Sequence, residues 1–393
     1  MKLKIGLFND SFPPVIDGVA SCVCNYARVL SQHHADVTVV TPSYPNVTDP
    51  YPFPVVRYPS VNLGKRVGYR MGIPYLRRIV KYLREKEFDL IHVHSPFVSS
   101  LLASSVTGRS HSIPVVLTYH TKFEIDIKKR APTLPLQRTM EKAVLHNLKR
   151  ADEIWAVSNG AAESMRYLGY NGPYAVMENG TDFPRGRAPE EAQAALREKL
   201  GLSRDVLTFL FVGRMMWYKN VRLILDALAL LHRDGLSFQM IFVGDGNDRA
   251  DVMAYAESLG ILHRTRFPGA VRDRELVRTY FSLADLFLFP STYDTSGLVV
   301  KEAAACACPS MLVRGSCAAE GVTDGRNGFL CAESAGGCAR VIKEAVKNRE
   351  ALAAAGEAAC REIYVSWEEA AQKAYLRYEQ IVAARRNKKL WKG

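Results

Sequence analysis

The sequence predicts two α/β domains in tandem, each built on a doubly wound parallel sheet. Three observations carry that expectation. Short apolar runs recur along the chain, and helix-compatible stretches separate them. A polar, breaker-rich segment, Asn179-Gly180-Thr-Asp-Phe-Pro184-Arg-Gly-Arg-Ala-Pro189, interrupts this alternation near mid-chain. A chain of 393 residues also exceeds what one hydrophobic core usually organises.

The first run, Leu3-Lys-Ile-Gly-Leu-Phe8, stops at Asn9-Asp10 and the Pro13-Pro14 turn and reads as a buried strand. From Gly18 to Leu30 the pattern suits a helix. Asp36–Thr41 is a second strand, and a loop rich in Pro, Tyr and Asn follows through Pro59. Strand, helix and strand make a βαβ unit, and further strands are expected at Leu90–His94, Val115–His120 and Glu153–Val157. The linker is placed around residues 179–195. Beyond it strands are expected at Leu207–Val212, Gln239–Val243, Thr265–Phe267, Leu286–Phe289 and Ser310–Val313, with helices near 219–233, 248–259, 273–283 and 300–306. The result is two Rossmann-like halves that share a plan without a short sequence repeat.

Composition excludes several classes. Hydrophobic residues at 48% and charged residues at 23% rule out a disordered, collagenous or disulfide-scaffold chain. No window nears eighteen uninterrupted apolar residues, and the N-terminal apolar run is too short for a signal-peptide core, so a cytoplasmic protein is expected. The eight cysteines fit a reducing compartment. Cys22/Cys24 and Cys306/Cys308 are each one residue apart, not the two to four of zinc knuckles, and no His pair follows; no metal is expected. The net charge is +12, and residues 65–86 hold eight Lys/Arg (Lys65, Arg66, Arg70, Arg77, Arg78, Lys81, Arg84 and Lys86) against Glu85 alone. A negative partner follows: nucleic acid, anionic lipid or a phosphorylated small molecule.

In open α/β sheets ligands bind beyond the carboxyl ends of the strands. In the second half those ends carry Gly213-Arg214 with Lys219, then Gly244-Asp-Gly246, then Asp294-Thr-Ser-Gly297-Leu298-Val-Val-Lys-Glu302. Arg214 as a planar fork and Lys219 as a point charge suit a pyrophosphate, although a solvated basic turn would look the same. Asp294 and Glu302 have seven residues between them, and a helix is expected to start near Leu298. That places backbone amides at a phosphate and two acceptor-only carboxylates near sugar or ribose hydroxyls. Met215-Met-Trp-Tyr218 reads as loop packing, and Gly244-Asp-Gly246 can be no more than a strand-end turn. His92 reads as a satisfied core histidine; His120 reads as functional.

These pieces, together with Pro14-Val-Ile-Asp-Gly18-Val19, His92-Val-His94-Ser-Pro96, Tyr119-His120-Thr121, Glu178-Asn179-Gly180 and the late Tyr364-Val-Ser-Trp367, resemble a retaining nucleotide-sugar glycosyltransferase of family four, with a two-Rossmann GT-B fold, over nearly the whole chain. Within that family the chain resembles bacterial enzymes of lipid and polysaccharide glycosylation such as diacylglycerol glucosyltransferases. The resemblance implies an N-terminal acceptor domain over 1–185, a donor domain over 190–363, and a helix over 364–393 that crosses back to the first domain. It implies that Arg214 and Lys219 hold the donor diphosphate and that Glu302 holds the ribose. Asp294 would contact the transferred sugar beside the amides of Ser296, Gly297, Leu298 and Val299. Gly18 would let a first-domain loop approach the donor, and His120 would sit at the reacting centre, where the leaving phosphate itself takes the acceptor proton. Two positions depart from the pattern: Asp294 stands where Glu is usual, and Asp17 where many lipid-glucosylating relatives have Asn. No Asp-x-Asp element is placed to hold a metal, so catalysis without metal or other cofactor is expected.

The acceptor is read from charge. In Gly72–Lys86 the residues Leu76, Ile79, Val80 and Leu83 share one helical face, with Arg77, Arg78, Lys81 and Arg84 mostly elsewhere. An anionic membrane surface carrying a lipid acceptor, such as diacylglycerol or a polyprenyl-linked sugar, suits that helix, as does burial against a sheet. Lys122, Lys128, Lys129, Arg130 and the tail Arg385-Arg386-Asn-Lys388-Lys389-Leu-Trp391-Lys392 add basic charge. The expected donor is a UDP-sugar and the expected location peripheral, on the inner face of the membrane. Soluble sugar acceptors, a nucleotide-sugar epimerase, which would need no acceptor, and a non-enzymatic basic binder stay open. No nucleic-acid motif is present, and no Gly-x-Gly-x-x-Gly follows either first strand, which disfavours a dinucleotide dehydrogenase.

Overall fold

The computed structural model describes residues 2–15, 17–62, 70–108, 113–131 and 133–390, with the side chains of 129, 130 and 388–390 outside the description. Ile16 of the first-domain motif, the basic residues Lys65 and Arg66, and Trp391 and Lys392 of the tail therefore lie outside the described residues, as do the side chains of Lys129, Arg130, Lys388 and Lys389. The chain divides into two compact units, Met1–Asn179 with Trp367–Gly393, and Gly180–Ser366.

In the first unit the strands are β1 (Leu3–Phe8), β2 (Ala35–Pro42), β3 (Val55–Tyr58), the short pair β4 (Ser60–Asn62) and β5 (Arg70–Gly72), β6 (Leu90–Val93), β7 (Val115–Tyr119), β8 (Glu153–Ala156) and β9 (Ala175–Val176). Seven of them form a sheet in the order β3-β2-β1-β6-β7-β8-β9 with every pairing parallel, while β4 and β5 make a separate antiparallel pair. The helices are α1 (Gly18–His33), α2 (Arg77–Arg84), α3 (Val98–Thr107), α4 (Phe123–Arg130), α5 (Leu134–Arg150) and α6 (Asn159–Tyr167). Asp17 starts α1 by accepting the Ala20 amide at 2.7 Å, and Cys22, Val23, Tyr26, Ala27 and Leu30 supply its buried face at helical spacing.

In the second unit the helices are α7 (Glu190–Leu200), α8 (Val221–Arg233), α9 (Arg249–Ser258), α10 (Arg274–Leu283), α11 (Leu298–Ala305), α12 (Ala335–Ala345) and α13 (Arg349–Glu362). Its parallel sheet runs β12 (Thr265–Gly269), β11 (Phe238–Val243), β10 (Leu207–Val212), β13 (Leu286–Leu288), β14 (Ser310–Val313) and β15 (Phe329–Cys331) in spatial order. Strands β10 and β11 are buried along nearly their whole length, as a sheet covered on both faces requires. The last helix, α14 (Trp367–Leu390), packs on the first unit: Trp367 meets Tyr26 edge-on, Tyr378 stacks on Trp155, and Arg377 pairs with Glu153 at 2.7 Å.

Three local expectations are corrected. The loop expected through Pro59 contains β3, an edge strand bracketed by Pro54 and Pro59, where proline costs no ladder hydrogen bond. The linker expected to reach 195 ends earlier, because α7 begins at Glu190 with two glutamates in its first turn, where the helix dipole favours them. The helix expected within 72–86 spans only Arg77–Arg84. Its Leu83 is fully buried, with Ile79 and Val80 packed against the same core, so that stripe is committed to the sheet. Arg77, Arg78 and Lys81 remain exposed, whereas Arg84 is anchored by the Ser105 and Val106 carbonyls at the end of α3.

Candidate active site

Each sheet has one place where the strand order reverses. In the second unit it lies between β10 and β13, both of which pair with each other and lead outward to opposite edges. The loop after β10 carries Lys219 and the loop after β13 carries Asp294, and they meet there: Lys219 Nζ donates to Asp294 Oδ1 at 2.5 Å. The Lys219 side chain is only 10% exposed, so its charge is held by Asp294 and by the faces of Phe289 and Tyr218, at 5.6 and 5.9 Å. Ser291 donates to the other Asp294 oxygen, fixing the carboxylate plane. Arg214 is exposed and makes no hydrogen bond or ion pair among the described residues. Nearby, Asn220 donates to Pro290 O and to Glu333, tying the two loops together.

Gly297, at φ 54°, turns the chain into α11, and a Cβ there would sit 3.2 Å from Ala318 Cα. The next residues, Leu298 and Val299, open the helix, whose first amides have no intrahelical carbonyl to bond. One turn on, Glu302 lies within a network that sequence reasoning missed. Arg274, the first residue of α10, donates to Glu302 at 2.6 Å and to Asp182 at 2.6 and 3.0 Å, and lies over the Phe183 ring. Burial pushes the Glu302 carboxyl up, and Arg274 opposes the shift without cancelling it. Burial also works against the Arg274 charge, but Glu302 and Asp182 hold the guanidinium firmly protonated. Asp273 caps α10 and is the one local sign that Arg274 sits at a helix start.

The glycines after β10 and β11 serve close approach of backbone. A Cβ on Gly244, whose φ is 135°, would fall 1.9 Å from the Gly213 carbonyl oxygen, and one on Gly246 would fall 2.3 Å from that of Met215. Met215 is fully buried, and Trp217 packs against Tyr255 and Arg222, so this run is loop packing.

In the first unit the histidines separate by role. Both His92 nitrogens are satisfied, by Tyr378 at 2.6 Å and Thr118 at 2.7 Å, which makes it a core histidine. His94 and His120, just beyond β6 and β7, share a hydrogen bond of 3.0 Å between His94 Nδ1 and His120 Nε2. Burial pushes all three imidazoles down, His92 and His94 well below their usual range and His120 to about 3, so they are neutral at pH 7. Gly18 is exposed at the start of α1. Of the residues singled out from sequence, the structure thus brings together Lys219 and Asp294, sets Ser296 to Glu302 around the start of α11, and places His120 and Gly18 in the other unit.

Residues 192–362 match the family model described as glycosyl transferases group 1, and residues 16–185 match that described as glycosyltransferase family 4. The chain is 25% identical over 344 residues to an alpha-monoglucosyldiacylglycerol synthase of Acholeplasma laidlawii, covering 84% of each chain. It is 28% identical over 335 residues to a GDP-mannose-dependent alpha-mannosyltransferase of Corynebacterium glutamicum, covering 84% of this chain and 76% of that one. The crystal structure of Anabaena HepE in complex with UDP superposes with a TM-score of 0.79 over 96% of this chain and 100% of its own, at 19% identity, which establishes the shared fold. With two family matches that between them span both units, and a GT-B architecture, the chain belongs to the family-four type of glycosyltransferases.

Proposed function

We propose that this glycosyltransferase moves a hexose, with retention of configuration, from a nucleotide-diphosphate sugar of the UDP-glucose type to a membrane-associated lipid acceptor such as diacylglycerol. The observation that carries the reading is the convergence of Lys219 and Asp294 at the sheet's reversal point beside the start of α11. A diphosphate arriving there would find the exposed Arg214 guanidinium, the Lys219 ammonium and the first amides of α11. Glu302 would exchange part of its Arg274 contact for ribose hydroxyls, and Asp294 would face the sugar. His120, kept neutral by burial, would position the donor sugar as an uncharged hydrogen-bonding group. The chemistry needs stabilisation of phosphate charge as the glycosidic bond breaks, and preorganised cations and amides would supply it.

The lipid acceptor is supported by the name of the Acholeplasma relative and by the exposed basic face of α2, with Tyr75 and Tyr82 exposed beside Arg77, Arg78 and Lys81. Among the described residues no helix is long and apolar enough to cross a membrane. The contact we propose is peripheral, on the inner face. A soluble or polyprenyl-linked sugar acceptor is the second reading, and the packing of Ile79, Val80 and Leu83 into the core favours the soluble one. The test is incubation with UDP-glucose and vesicles containing diacylglycerol, with chelator present, followed by chromatography and NMR of the product. An α-linked glucosyl lipid formed without metal is expected. Transfer only to soluble sugars, an inverted anomer, or dependence on added magnesium or manganese would each reject the corresponding part.

A further inference from the structure

Three side chains from three separate segments converge in the first unit. Cys22 comes from the second turn of α1, His94 follows β6, and His120 follows β7. One ligand atom from each lies within 4.8 Å of the other two, and all three residues are buried, at 0%, 1% and 7% exposure. Cysteine and two imidazoles are a donor set suited to a thiophilic cation that accepts tetrahedral geometry. Such a site, with bonds of about 2.0–2.1 Å to nitrogen and about 2.3 Å to sulfur, sets neighbouring donors roughly 3.3–3.6 Å apart. The 3.0 Å separation of the hydrogen-bonded His94 and His120 nitrogens is already near that spacing.

A neutral imidazole has one N–H and one lone pair. The facing nitrogens, His94 Nδ1 and His120 Nε2, are the ligand atoms of that geometry. With a cation bound, each ring carries its proton on the far nitrogen, so the buried His94 Nε2, which has no hydrogen-bond partner among the described residues, is the N–H in that form.

We propose that Cys22, His94 and His120 form a binding site for a divalent cation of the zinc class, with the fourth position open. Binding exchanges the Cys22 thiol proton, now donated to Asn179 Oδ1 at 3.2 Å, for a metal–sulfur bond and releases that proton to solvent. The proton now shared between His94 Nδ1 and His120 Nε2 moves to the far nitrogen of the ring that carries it, so that each imidazole presents a lone pair to the cation, and no redox step is involved. Local spacing gives no sign of the site, because its ligands are brought together only by the sheet. The consequence for turnover rests on the proposed role of His120: a cation there would occupy the imidazole that positions the donor sugar, and zinc would inhibit the enzyme.

Titration of the metal-free full chain with cobalt(II) reads the site directly. One equivalent should produce a near-ultraviolet thiolate-to-cobalt charge-transfer band with the intense visible bands of four-coordinate cobalt, and zinc should abolish both. Cys22→Ser should lose the charge-transfer band and bind more than about tenfold more weakly, the least effect expected when a ligand itself is lost. If that variant fails to fold by circular dichroism, His94→Gln keeps the thiol and should show the same weakening. Absence of the band at one equivalent, or its persistence in Cys22→Ser, would overturn the site. A normal band with zinc-insensitive turnover would support the site and overturn the role of His120.

Discussion

The two sheets reverse strand order in the same way, at β1 and β6 in one unit and at β10 and β13 in the other, yet their strand ends carry opposite chemistry. At the first, Asp10 accepts from Ser95, from the Ser99 hydroxyl and from the Ser99 amide, and burial pushes its carboxyl up. Its lone pairs are used internally, and the neighbouring His92, His94 and His120 are uncharged. At the second, a half-buried Lys219–Asp294 pair and an exposed Arg214 put charge where the helix amides of α11 begin. Topology decides where strand-end side chains can converge; the residues placed there decide whether the spot is neutral or charged.

The largest expected effect separating the two is the acid sensitivity of the first unit. Three buried histidines have native pKa values depressed by burial, so the unfolded chain binds more protons than the native one below about pH 6.5. Their stabilising contribution is complete above that pH and is lost as pH falls toward the native values, near 3 for His120. The slope approaches about 1.4 kcal/mol per pH unit for each histidine. Asp10, with a raised carboxyl, acts with the opposite sign and only in the carboxylate range. Urea midpoints of the first unit between pH 7 and 5.5 should fall steeply while those of the second change little. Equal slopes in both units would break the contrast.

Next comes turnover. Lys219→Ala should lower kcat by about 10²–10³, the scale of losing one preorganised charge-stabilising donor, whereas Asp10→Asn should act on stability. Asp294→Ala should reduce kcat strongly while nucleoside-diphosphate affinity stays nearly unchanged. Equal loss of affinity would move Asp294 from the sugar to the nucleotide. Glu302→Gln sharpens the assignment further. It should weaken nucleoside-diphosphate binding by about 1.5–3 kcal/mol in calorimetry, since a carboxylate acceptor becomes a neutral amide; an unchanged affinity would leave Glu302 as a partner of Arg274 alone.

The architecture was legible because apolar runs and their polar ends mark strands and strand ends directly. Lys219, Asp294 and Glu302 were legible as strand-end residues for the same reason. The Asp182–Arg274–Glu302 network was not: its members come from the segment after the first unit, α10 and α11, and only packing of those elements joins them. Strand β3 was lost between prolines, and β15 (Phe329–Cys331) is too short for its periodicity to register. The apolar stripe of α2 was visible, but a sheet and a membrane select the same stripe, so sequence could not choose; burial of Leu83 did.

The smallest effect is at the membrane. Arg77, Arg78 and Lys81 are free of the carbonyl contacts that hold Arg84, so the triple replacement by Gln is the informative one. Each residue is expected to contribute on the order of 1 kcal/mol to binding anionic vesicles at low salt. Vesicle sedimentation that is unchanged in the triple variant would remove α2 from the acceptor surface.

Hydrogen exchange with and without UDP tests the central contrast most directly. Nucleotide should protect amides in residues 213–220 and 294–302 and leave those around Asp10 and residues 94–100 unchanged. Protection confined to the first unit's strand ends, with none near Lys219, Asp294 and Glu302, would contradict the account.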